Sequence, residues 1–424
     1  DIYIPAGSCH RNNALIFCIG EKNMLAEYKR YVKFILILML TLILYQIIDP
    51  AEAYAQPDDE TLEILERRAD TEEVRMLENE LKRYAEQGLK EIFPEFDPRG
   101  IIKDAAKGQM DLDVAGLFGR IGKYLFHELY INMNVLVKLV VLVVICAVLK
   151  NIQSSFMSES VGEIAFYACY IALVSVMMLS LNMTLEYGKQ VIDSMVDFMH
   201  VSIPILITLL VSGGNLTSAG VFQPILIMIV EVSATIMKNI FIPVVFLSSV
   251  LSIVDNISEK VQISRFSKFL NHISGWFLGL VLTIFIAVVS IQGSMGAVID
   301  GVTSKTAKFA LGAMIPVAGK YLADAADAVI GCSMLIKNAA GVAVLIGVLG
   351  ICLIPFVKMT AIMLLYRLAC IMVEPIAENR ITNSISAIAG SMTFIIGIAA
   401  SVACMFLISV TAIISAGNIS AMMR

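Results

Sequence analysis

Glu231 and Lys238 lie seven residues apart in an otherwise apolar stretch, so on a helix they share one face. Arg367 and Glu374 repeat that spacing further along. Asp193 and Asp197, followed by His200, form a third group at helical spacing. An ionisable side chain inside an apolar segment is costly unless it is paired or wet. Two roles suit such groups: they line a polar path through a membrane, or they neutralise one another as structural pairs. Catalysis finds no comparable set of residues. There is no GxSxG, no HExxH and no Gly-rich loop ending in Lys-Ser/Thr. The eight cysteines contain no CxxC and the four histidines are scattered. The chain is therefore expected to be no enzyme, with no metal, no cofactor and no nucleotide site.

Four Ile-Pro pairs accompany the charges. Pro204, Pro243, Pro316 and Pro355 each follow an isoleucine. Pro316 trails Pro204, and Pro355 trails Pro243, by the same 112 residues. Val191-Ile192-Asp193 precedes the first set and Val298-Ile299-Asp300 the second, while Ser274-Gly275 and Ala389-Gly390 close them. A duplicated apolar unit with internal prolines is a membrane architecture that transporters and channels favour. Each proline removes a backbone donor and is expected to mark a helix bend, with simple helix termination as the plainer alternative.

The elements holding these residues must sit in a bilayer. Hydrophobic residues make up 58% of the 424, charged ones 16%, and the mean hydropathy is +0.82. A soluble chain of this size could not hide that much apolar surface. Hydropathy places spans near 133–149, 161–182, 198–212, 221–237, 239–254, 271–292, 339–357, 359–376 and 387–412. The pieces 309–318 and 328–337 are too short to cross and are expected as re-entrant or broken helix.

One region is hydrophilic. Residues 56–100 hold 14 acids and 7 bases. Within it Val74, Leu77, Leu81 and Tyr84 follow a heptad rhythm, predicting an amphipathic helix from about Asp70 to Leu89. That stripe is either a solvated surface feature or a docking face for a partner. A second helix is predicted near Asp111, lying in the interface with Val114, Leu117, Phe118, Ile121 and Leu125 on one face. Ahead of both, Lys29-Arg30 and Lys33 precede an apolar stretch, and Ala53-Tyr54-Ala55 supplies small residues at a cleavage site. This is a signal-peptide layout with the cut after Ala55, the alternative being that 34–48 stays as a short signal anchor, and the signal peptide puts 56–132 outside the cytosol. Lys260, Arg265 and Lys268 then fall in a cytosolic loop.

The expected class is an all-α, polytopic α-helical membrane protein with two internal repeats and a small helical extracytosolic N-terminal region. Its parts are 1–23 upstream sequence, 24–55 signal peptide, 56–132 extracytosolic helices, 133–182 two transmembrane helices, 183–295 membrane repeat 1, 296–416 membrane repeat 2 and 417–424 tail. Counted by crossings, the repeats are parallel, related by an axis along the membrane normal.

This order of parts resembles the stage III sporulation protein AE family of endospore-forming bacteria. Ser212-Gly213-Gly214-Asn215, Phe241-Ile242-Pro243-Val244-Val245, Arg265-Phe266-Ser267-Lys268 and Glu374-Pro375-Ile376 carry the resemblance. It implies a mother-cell protein in the membrane around the forespore. It also implies a channel-like or secretion-like complex with other stage III proteins, whose ATPase is a separate protein. No nucleic acid is implied as partner. A self-sufficient secondary transporter and a membrane scaffold without a path are the alternatives.

Overall fold

The computed structural model describes residues 71–84, 97–106, 114–156, 159–257, 263–314 and 319–422. The signal peptide, the upstream sequence and Pro316 lie outside these residues. Every element among the described residues is helical.

Among the described residues, three short helices come first: α1 Glu72–Tyr84, α2 Pro98–Ala106 and α3 Val114–Ile131. Helix α4, Met133–Phe156, has the length of one bilayer crossing. The rest of the chain is built from far longer rods. They are α5 Glu159–Ser212, α6 Leu216–Ile236 continued through a π turn at Met237–Phe241 into α7 Ile242–Ile257, α8 Ser264–Met314, α9 Gly319–Val373 and α10 Asn379–Met422. Among the described residues, six segments are long and apolar enough to cross a membrane.

The rods correct the expected segmentation. Residues 161–182 and 198–212 are one helix of 54 residues, and 339–357 and 359–373 belong to one of 55, with 374–376 in the turn that follows. Segment 328–337 runs unbroken inside α9 and is not re-entrant. A 54-residue helix is about 80 Å long, whereas hydrocarbon is only about 30 Å thick. Hydropathy windows break at charges, but a helix does not, because Glu, Lys and Gln are good helix formers.

The prolines also behave locally. Pro204 and Pro355 sit inside continuous helices. The Thr208 hydroxyl donates to the Pro204 carbonyl at 3.0 Å. Pro243 follows the π turn, where the Ile242 N–H reaches back five residues to Met237 O. A wide turn just before a proline relieves the clash of its ring with the preceding turn.

Helices α5, α9 and α10 form the centre. Tyr170 meets Ser384 (2.8 Å), Phe198 packs on Phe406 (5.8 Å between rings) and Leu210 lies at Gly417, so α5 and α10 run parallel. Tyr366 donates to Val176 O, Cys352 contacts Met195 and Gly347 faces Phe198, so α9 runs against both. The α5–α6 turn is the Ser212–Asn215 motif, where Gly214 takes φ 77°, a left-handed conformation that favours glycine.

Candidate functional site

Midway along α5 the apolar run is broken by Glu186, Lys189, Gln190, Asp193, Ser194 and Asp197. Together with Lys238 of the π turn they line an open cleft of about 460 Å³. Lys238 Nζ donates to both oxygens of Asp193, at 2.6 and 2.7 Å. One stage further along α5, His200 Nε2 and Glu231 Oε2 are 3.0 Å apart. Lys358 of α9 lies 6.0 Å from the Tyr187 ring. A belt of paired charge thus follows the seam where α5 meets α6 and the π turn.

The spacing argument found these residues but not their partners. Glu231 and Lys238 share a helix face, yet each bonds across to α5. Arg367 does not turn to Glu374. Its guanidinium donates to Thr393 Oγ1 at 3.2 Å, and Glu374 begins the exposed turn after α9. Helical periodicity reports neighbours on one helix and is silent about which second helix approaches.

The stripe of α1 is buried by the chain itself, which corrects its reading as a face left open for a partner. Leu77 and Leu81 are 0% exposed, and Val74 and Tyr84 are also buried. Tyr84 packs edge-on against Phe198 at 5.3 Å, and Leu81 seats on Gly347. Arg83 donates to Tyr84 Oη at 3.2 Å and pairs with Glu80 at 3.0 Å. One amphipathic helix has nowhere of its own to hide a stripe, but the groove between α5 and α9 supplies the cover. In α3, Phe118 is exposed.

Two ionisable groups buried within the long rods escaped the sequence reading as sites. Asp300 of α8 is 2% exposed, and its carboxylate accepts the Thr217 and Ser218 N–H groups, both at 2.8 Å. It takes the place of a local N-cap on α6, because the Asn215 side chain bonds Gly213 O instead. Lys337 of α9 is 0% exposed and donates to Ile414 O at 2.8 Å. A lysine within an apolar run is the signal that the sequence offers for it. Among the described residues, no three His, Cys, Asp or Glu side chains stand close enough to hold a metal.

Because the Asp193–Lys238 pair is about half exposed, its net worth is small. Lys238→Met should lower the stability of the detergent-extracted chain by under about 1 kcal/mol. A thermal unfolding midpoint displaced as far as for a core truncation would refute the half-exposed geometry.

Against known proteins, the family model for stage III sporulation protein AE matches residues 96–417. Stage III sporulation protein AE of Bacillus subtilis (strain 168) is 32% identical over 333 residues, covering 78% of this chain and 83% of that protein. No solved structure matches.

Proposed function

We propose a function from one premise: the chain belongs to the stage III sporulation protein AE family, and so to sporulation. It works there as a non-enzymatic, multi-pass component of a transenvelope channel or secretion-like complex between mother cell and forespore. Its place is the mother-cell membrane around the forespore. Other stage III proteins are its partners, and a separate ATPase supplies the energy.

The observation that carries this reading is the charged belt with its open cleft, set midway along rods that outrun a bilayer more than twofold. A solute path through apolar helices needs such a wet, polar stretch. The surplus helix length extends beyond the bilayer, where proteins of a transenvelope assembly meet. Helix α1, docked at the belt through Tyr84 and Leu81, joins the hydrophilic region to that path.

The test pairs two measurements. The tagged full chain, extracted from sporulating cells, should bring down other stage III proteins. In Asp193→Asn cells the same complex should still assemble, while spore yield falls at least tenfold. Liposomes holding the purified chain alone should show no solute flux. Flux by the lone chain would replace this reading with a self-sufficient transporter. Normal spores from Asp193→Asn cells would remove the belt from the path.

A further inference from the structure

The first turns of α6 pack against one stripe of α8. Gln292, Gly296 and Asp300 follow one another at four-residue steps and share that stripe. Gln292 Nε2 donates to Val221 O at 2.8 Å, and Asp300 accepts the Thr217 and Ser218 N–H groups. Between these two contacts, a Cβ on Gly296 would stand 2.7 Å from Ser218 Oγ and 3.1 Å from Ser218 Cα. Three side-chain oxygens around this contact have no hydrogen-bond partner among the described residues: Asn215 Oδ1, Ser218 Oγ and Gln292 Oε1. Asn215 and Ser218 are 0% exposed and Gln292 is 6% exposed. The amides are not free to flip, because the nitrogens of Asn215 and Gln292 each donate to a backbone carbonyl. Their oxygens are the atoms left over. Asp300 adds to them, since its two N–H bonds use only half of a carboxylate's roughly four lone-pair sites.

We propose that these oxygens hold a small, hard monovalent cation of the sodium class. A buried acceptor without a donor is costly, so the cluster needs a ligand. A water brings only two protons to about four open acceptor sites, whereas a cation satisfies every oxygen that turns to it. The donor set of carboxylate, amide and hydroxyl oxygens suits a hard ion. Charge decides the valence. The N-terminus of α6 supplies about half a positive charge, so about half of the Asp300 charge stays uncancelled inside the bundle. One monovalent ion answers that remainder, and a divalent ion would overshoot it. The sequence carries a parallel. Val298-Ile299-Asp300 echoes Val191-Ile192-Asp193, whose acid meets the Lys238 ammonium. Among the described residues no cationic side chain pairs with Asp300, and the bound ion takes that place. It ties α8 to the turn between α5 and α6. The site is separate from the charged belt and does not depend on the proposed transport path.

Radioactive sodium, added to the detergent-extracted full chain, tests the site. The expected result is saturable binding that unlabelled sodium displaces and choline does not. Ser218→Ala keeps its N–H bond to Asp300, so the chain should fold while sodium affinity falls at least tenfold. Gln292→Leu should act in the same direction. Asp300→Asn can still cap α6 and should abolish binding. Thr303→Ala should leave binding unchanged, because that exposed hydroxyl donates within its own helix to Ile299 O. Absence of saturable binding by a wild-type chain that is helical by circular dichroism would overturn the proposal and leave the oxygens to buried water. Equal binding by wild type, Ser218→Ala and Asp300→Asn would place the ion elsewhere and overturn it too. Displacement of sodium by calcium at a thousandth of its concentration would overturn the monovalent assignment.

Discussion

Replacing Gly417 by alanine should destabilise the bundle by roughly 3 kcal/mol, a large effect for one methyl group. A Cβ at Gly417 of α10 would overlap Lys337 Nζ and press on Leu210 Cδ1. A lysine terminus normally swings aside at little cost. Lys337 has no such escape, because it is 0% exposed and donates to Ile414 O. Pushing the amine away strips a buried polar group of its acceptor in apolar surroundings. Two further variants separate that cause from simple overpacking. Lys337→Met keeps the length and removes the polar end, so it should cost less than Gly417→Ala. The double variant should then lie close to Lys337→Met alone. Thermal unfolding of the four chains in one detergent checks this. If the two losses simply add, Lys337 and Gly417 act independently and the argument fails.

The second large effect is expected at the seat of α1. Gly347→Val should release α1 from the bundle, since a Cβ there would overlap Leu81 Cδ2 and crowd Phe198. Leu81→Asp should do the same by placing a carboxylate in a fully buried site. The rods should survive both changes, because a 13-residue peripheral helix opens locally at less cost than the bundle unfolds. Hydrogen exchange across residues 72–84 should rise at least a hundredfold, and the centre of α10 should keep its protection. Gly347→Ala with Leu81→Ala should restore part of the docking. If exchange in α1 is unchanged by Leu81→Asp, the stripe is not held as described. Glu80 and Arg83 pair at 3.0 Å with Arg83 exposed and Glu80 partly buried, and their charge reversal should release α1 less than Leu81→Asp does.

What the sequence reveals and what it hides follow from the range of each signal. Membrane class, helical content and the α1 stripe rest on local periodicity and composition, and all are plain in the residues. Helix length is not, because the charges from Glu186 to Asp197 cut a hydropathy window while leaving the backbone helical. Partners are hidden for the opposite reason. Lys238 finds Asp193 and His200 finds Glu231 across a helix pair that no spacing rule specifies. The stripe likewise advertises that something covers it, without saying that α5 and α9 do. Lys337 and Asp300 were visible as charges in apolar sequence. Their importance depends on complete burial, a property of the packed bundle.

The π turn at Met237–Phe241 carries one more residue than an α-helix would hold there. That surplus offsets α7 from α6 by about 100° and about 1.5 Å relative to an uninterrupted helix. Lys238 rides on this turn, so its grip on Asp193 fastens α5 to the rod where the register changes. The rod made of α6 and α7 is in that sense keyed: the turn sets the angle at which the face of α7 follows that of α6, and the lysine is the key.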